Sequence, residues 1–173
     1  MPTPAPFLND LYRQPELQNN CSGFIKGVFQ GLGLAIFQLS DRQLASMRAD
    51  DLIDNITSAS TLWSLVGSGT EGASAAADLA GQGSLVVALL KARDHQPKID
   101  REGRAHPYSS GHMSVVLPGP LGPHGYPFVV SGSTVADGKS DGSKEVRGVW
   151  RAVDAPHVQY YKFGTKFPIL ISK

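Results

Sequence analysis

The residues best equipped for covalent chemistry in this chain are one cysteine, Cys21, and five histidines, His95, His106, His112, His124 and His157. A thiolate attacks carbonyl carbon, and an imidazole can take and return the proton, so this inventory suits acyl transfer. Cys21 stands in Asn19-Asn20-Cys21-Ser22-Gly23-Phe24, and Phe24, Ile25, Val28 and Leu32 follow at helical spacing. That pattern predicts a helix from Cys21 to about Leu34 with the thiol on its first turn. The free N–H groups and partial positive charge of a helix start lower a thiol pKa and favour the thiolate. The competing reading is a buried structural cysteine, the commoner fate of a lone thiol, and this stretch leaves both open.

A cysteine nucleophile needs a base, brought close by the fold and not by sequence. His95 and His106 lie in a long polar stretch and His124 in a Pro/Gly turn, where positioning would be loose; His157 follows Pro156 near a strand start and stays open. His112 stands between Gly111 and the strand-like Met113-Ser114-Val115-Val116-Leu117. A base at the end of a core strand is held rigidly, and a small neighbour at Gly111 leaves room for substrate. A third group should accept the other imidazole N–H. If the strand after the turn at 118–125 pairs antiparallel with the His112 strand, it returns Ser131 toward His112. Ser131, or its backbone carbonyl, is therefore the candidate orienter, with Asp137 and Asp154 as carboxylate alternatives whose ordinary role is turn chemistry. No His-Glu-x-x-His or equivalent ligand spacing appears, and a single cysteine makes neither an intrachain disulfide nor a multi-cysteine zinc site. No metal and no cofactor is implied.

The elements that must position these residues read as helices first and strands later, an α+β order. The proline-rich start, residues 1–7, is expected to be a flexible arm, and Leu8 to Leu17 a short helix interrupted by Pro15. Ser40-Asp41-Arg42-Gln43 is a capping-box pattern, and a second short helix follows Asp50 and Asp51. Ala73 to Ala80 reads as a helix ending at Gly81, and Ser84 to Leu90 as a buried strand. Lys91 to Gly111 is expected to be a long surface loop bordering a cleft. Strands are predicted at His112–Leu117, Tyr126–Ser131, Val146–Arg151 and Val158–Phe163, with a Gly-rich loop at Asp137–Gly142.

A length of 173 residues suits one domain spanning the chain, and 41% hydrophobic with 18% charged residues suits a soluble globular one. The formal net charge of +1 argues against a nucleic-acid partner, and no run approaches the roughly 18 apolar residues of a membrane span. The N-terminus lacks the basic and apolar regions of a secretory signal, so the chain is expected to be made in the cytoplasm.

A Cys-Ser-Gly-Phe helix start followed far downstream by Gly-His at a strand start resembles the NlpC/P60 cysteine peptidases. Asn20-Cys21-Ser22-Gly23-Phe24, then Gly111-His112-Met113-Ser114-Val115-Val116, Gly119-Pro120-Leu121, Tyr126-Pro127, Gly132-Ser133, Val149-Trp150 and Tyr160-Tyr161 resemble, in that order, the type VI secretion amidase effectors, the first amidase family above all. The resemblance implies a papain-like α+β fold in which the Cys helix packs on an antiparallel sheet carrying the histidine, with Cys21 as nucleophile and His112 as base. It implies hydrolysis of the γ-D-glutamyl-meso-diaminopimelate bond of peptidoglycan stem peptides, after delivery by the type VI apparatus into the periplasm of a rival cell. It also implies a cognate periplasmic immunity protein that plugs the cleft. On this reading Ser22 and Gly23 line the cleft with Gly111. Asn20 stands where many relatives carry an aspartate, so it marks the point where recognition of the stem peptide diverges. The rivals are a D,D-endopeptidase of the cross-link and a catalytically silent wall-binding module.

Overall fold

The computed structural model describes residues 5–34, 46–167 and 170. The capping-box pattern at Ser40–Gln43 lies outside them. Helix α1 (Pro6–Tyr12) and the single turn α2 (Pro15–Gln18) each begin on a proline, which lacks the N–H that a first helical turn leaves unpaired anyway. Pro15 therefore starts a helix where an interruption was expected, and any flexible arm ends before Pro6, since Phe7 already packs on the core.

Helix α3 (Cys21–Gly31) carries the cysteine at its first position. Its glycines weaken it by about 1 kcal/mol each, whereas burying Phe24, Ile25, Val28 and Phe29 completely contributes roughly 1.5–3 kcal/mol apiece. Packing therefore holds the helix against its propensity. The glycines allow close approach of the preceding helices: a side chain at Gly27 would meet Leu17 and one at Gly31 would collide with the Phe7 ring. Helix α4 (Ala49–Ser58) is capped where Asp51 accepts the Arg48 N–H at 2.9 Å, and it buries Leu52, Ile53 and Ile56.

The strands β1 (Trp63–Ser68), β2 (Ser84–Leu90), β5 (His112–Val116), β6 (Phe128–Ser131), β7 (Ser140–Glu145) and β8 (Gln159–Lys166) form one sheet in the order β1-β8-β2-β5-β6-β7, every pairing antiparallel. Helix α5 (Ala73–Gly81) forms where a helix was predicted, after the unpredicted β1. The sheet is covered on both faces. Leu85, Val87 and Leu89 of β2 point into a core shared with α3 and α4, while Val86, Ala88 and Leu90 point into a second core with Ala76, Ala80, Trp150 and Tyr160. Burial on both faces is why β2 reads as an unbroken apolar run.

Two expectations change. Val146–Arg151 is not a strand: Val146–Val149 forms the short helix α6, placing Val146, Val149 and Trp150 on one helical face against the second core. The strand lies earlier, at β7, which begins in the last three residues of the stretch read as a Gly-rich loop and runs on to Glu145. Ser140 and Gly142 are its inward-facing residues, and a buried serine whose hydroxyl donates to the Val129 carbonyl at 2.6 Å replaces the apolar residue that would have signalled a strand. Between β2 and β5, the segment 91–111 carries a small hairpin of its own, β3 (Lys98–Ile99) with β4 (Ala105–His106).

Candidate active site

Asn20 is the N-cap of α3. Its Oδ1 accepts the Gly23 N–H at 3.0 Å and the Ser22 hydroxyl at 3.0 Å, and the absence of a side chain on Gly23 lets the Asn20 amide fold over the helix start. The cap uses up one free N–H of the first turn and leaves those of Cys21 and Ser22 with no backbone carbonyl to bond among the described residues, turned instead toward the Cys21 sulfur. Asn20, Ser22 and Gly23, expected to touch substrate, thus form a capping device beside the thiol. Asn20 is exposed, and its side-chain NH2 group has no protein partner among the described residues, so its side chain keeps donors for a ligand.

Cys21 meets the sheet at an open edge. The Leu117 N–H donates to the Phe128 carbonyl, so by the period of two the Met113 N–H and the Gly111 carbonyl also face the β6 side of β5. β6 ends at Ser131, which lies opposite Ser114, and leaves that last part of the β5 edge unpaired. The Cys21 Sγ fills it, 4.0 Å from the Gly111 carbonyl oxygen. Gly132 secures the junction: a side chain there would strike the Leu17 carbonyl and lie 2.8 Å from that of Asn20. The Ser133 N–H donates to the Gln18 carbonyl at 2.9 Å across the same seam.

His112 and Ser131 are diagonal neighbours on one face of the sheet, and the Ser131 Oγ lies 2.9 Å from the imidazole Nε2. The fully buried Ser131 hydroxyl is also within reach of the Met113 and Gly132 carbonyls, at 3.3 and 3.2 Å. Trp150 sets its ring edge-on to His112 with centroids 5.0 Å apart, and Gly138 packs at the imidazole Cε1. Cys21 and His112 make no direct hydrogen bond. The thiol borders the backbone on either side of His112 while the imidazole bonds Ser131.

The electrostatics differ from the expectation at Cys21. Burial pushes the thiol pKa up, and the backbone N–H groups of Ser22, Met113 and Cys21 itself oppose the rise without overcoming it, while the Asp50 charge adds to it. A helix start favours a thiolate only where solvent or a cation shares the charge, and this one is enclosed. Burial, reinforced by the neighbouring His95, pushes His112 down to about 4 against the pull of the Gly138 backbone. At neutral pH the site therefore rests as thiol and neutral imidazole.

Three further expectations are settled by position. The room expected beside Gly111 is absent: the residue is buried, and a side chain there would lie 2.7 Å from the Leu90 carbonyl and 3.0 Å from Ile53. Asp137 lies in a short 3-10 turn, and Asp154 bonds His95 and Arg151. His124 pairs with Glu145 and His106 with Asp100, both away from Cys21. Sequence reasoning missed Asp50, read only as a helix start. Its Oδ1 accepts the Ala92 N–H at 2.9 Å and its Oδ2 the Gly111 N–H at 2.7 Å, tying both ends of the 91–111 segment to the first turn of α4. Among the described residues no group of three or more His, Cys, Asp or Glu side chains could hold a metal ion, and no helix is long and apolar enough to cross a membrane.

The architecture is a papain-like α+β fold, with a cysteine at the start of a helix packed on an antiparallel sheet that carries a histidine. No protein-family model matches the chain. The peptidoglycan amidase Tse1 of Pseudomonas aeruginosa is 32% identical to it over 147 residues, which span 84% of this chain and 76% of that protein. The chain belongs to the family of that amidase, the amidase effector family that its sequence resembles.

Proposed function

We propose that this protein is a cysteine peptidoglycan hydrolase that cuts the γ-D-glutamyl-meso-diaminopimelate bond of stem peptides. The observation that supports the reading best is the Cys21 thiol at the open edge of β5, beside the His112–Ser131 pair, in a chain 32% identical to a peptidoglycan amidase. Substrate binding brings the imidazole into reach of the thiol, a contact that free enzymes often leave loose. His112 takes the Cys21 proton as sulfur attacks the γ-carbonyl carbon. The uncapped N–H groups of Cys21 and Ser22 face the developing oxyanion. The imidazolium then protonates the leaving diaminopimelate amine, the C–N bond breaks, and a thioester remains on Cys21. Water, deprotonated by His112, hydrolyses it and regenerates the thiol. Ser131 accepts the Nε2 proton of the imidazole and fixes its tautomer.

The protein is made in the cytoplasm and carried by type VI machinery into the periplasm of a target bacterium, where the wall is its substrate. The producing cell is protected by an immunity protein seated over the cleft. Mass spectrometry of muropeptides released from purified sacculi tests the bond. The expected products are disaccharide-dipeptides and free diaminopimelate-containing peptides, all absent with Cys21→Ala. Loss of cross-linked dimers with tetrapeptides left intact would instead show a D,D-endopeptidase, and binding without products a silent wall-binding module.

A further inference from the structure

The 91–111 segment carries a histidine, His95, that is paired with an aspartate and that the mechanism above does not use. The His95 Nδ1 lies 3.2 Å from the Asp154 Oδ2, and the His95 side chain is 5% exposed. Asp154 is fully buried and saturated: it also accepts the Gln96 N–H at 2.8 Å and Arg151 through Nε at 2.8 Å and Nη2 at 3.2 Å. One imidazole nitrogen is thereby fixed, and the other, the His95 Nε2, is buried with no partner. An orphaned buried nitrogen on a rigidly held ring calls for an occupant.

The surroundings say which kind. The His95 ring stacks on Tyr108, centroids 4.2 Å apart and planes at 18°. The Arg151 guanidinium lies 5.1 Å and the Lys98 Nζ 4.9 Å from the centroid of that same ring. Arg151 neutralises Asp154, while Lys98 has no carboxylate partner among the described residues. No unpaired carboxylate stands in the group, so its excess charge is positive and an anion is favoured over an ammonium. The group also adjoins the reaction centre: Arg151 follows Trp150, the residue set against His112, and the His95 charge reaches His112.

We propose that His95, oriented by Asp154 and backed by Tyr108 and Lys98, is a subsite that binds a carboxylate of the stem peptide next to the scissile bond. The inference rests on the peptidoglycan reading. His95 donates through Nε2 to the ligand carboxylate while its Nδ1 holds Asp154, and Lys98 supplies a longer-range attraction. The segment then contributes to binding and specificity while Cys21 and His112 carry the chemistry.

Calorimetry on the Cys21→Ala protein tests this without turnover, using a synthetic γ-D-glutamyl-diaminopimelate stem peptide and two versions in which either the glutamate α-carboxyl or the diaminopimelate carboxyl next to the scissile amide is amidated. One amidation should weaken binding roughly tenfold, the scale of one hydrogen bond to a charged group. Adding His95→Gln should weaken the free-acid peptide by a similar factor and abolish its advantage over that amide. Lys98→Met, at an exposed position, should cost about threefold in the same selective way. Equal binding of all three peptides to the parent, or a variant effect identical on acid and amide, would overturn the subsite, since a merely structural role for His95 cannot distinguish them. Turnover is read separately on the wild-type protein. Carboxylate-selective binding without cleavage would overturn the hydrolase reading alone, and cleavage without carboxylate selectivity the subsite alone.

Discussion

The seam where α3 meets β5 and β6 and the segment from Lys91 to Gly111 border the same histidine, yet they are held by opposite means. At the seam, backbone meets backbone: Gly132 lies against the Leu17 and Asn20 carbonyls, Ser133 bonds Gln18, and the thiol fills a strand edge. The 91–111 segment buries little apolar surface, and side-chain carboxylates anchor it, Asp50 at both ends and Asp154 in the middle. Close backbone packing tolerates no added atom and fixes reacting groups to fractions of an ångström. Carboxylate anchors permit a segment to vary in sequence while its ends stay in place, which suits recognition.

Several substitutions would break or sharpen that contrast. His112→Ala should lower kcat on sacculi about a thousandfold, within the range for loss of a general base. The low pKa of His112 carries a stability consequence with a definite sign. Its folded value, about 4, lies below the ordinary 6.5, so between these values the unfolded chain binds more protons and stability is lost as pH falls. The contribution, present in full above pH 6.5, is about 3 kcal/mol, and urea titrations from pH 7 to 4 should show the midpoint falling through this window. Gly132→Ala should destabilise the protein by about 1–3 kcal/mol through overpacking at the seam, lowering its melting temperature by several degrees. Ser131→Ala should reduce kcat about tenfold with KM unchanged, because the lost bond matters most to the imidazolium formed during reaction. The smallest effect belongs to the other region: Asp50→Ala should hasten proteolytic cleavage within 91–111 and cost about 1 kcal/mol of stability. Equal sensitivity to added methyl groups at Gly132 and in the interior of 91–111, short of its tightly packed end at Gly111, would dissolve the contrast.

Much of the seam was legible in the sequence because its signals are local. Helical spacing after Cys21 marked α3, an apolar run marked β2, and the turn at 118–125 set the antiparallel pairing that returns Ser131 to within 2.9 Å of His112. What escaped depended on partners distant in the chain. β7 hid because Ser140 and Gly142 stand where apolar residues normally point inward. α6 passed for a strand because two valines and a tryptophan fit either period over so few residues. The expected fall in the thiol pKa rested on the helix start alone, whereas the enclosure supplied by β5 reverses it. Asp50 looked like an ordinary first-turn acid, and only the fold brings Ala92 and Gly111 to its two oxygens. Gly111 was assigned to substrate on grounds of size, but the space beside it belongs to Leu90 and Ile53.

The most direct test of the account is to trap the acyl-enzyme. Wild-type protein mixed with stem-peptide muropeptides, quenched in acid within the first turnovers and digested, should yield a Cys21-containing peptide heavier by the disaccharide-dipeptide acyl group and reverting on treatment with hydroxylamine. Turnover of the same substrate with no adduct on Cys21, or with undiminished product from Cys21→Ala, would contradict it.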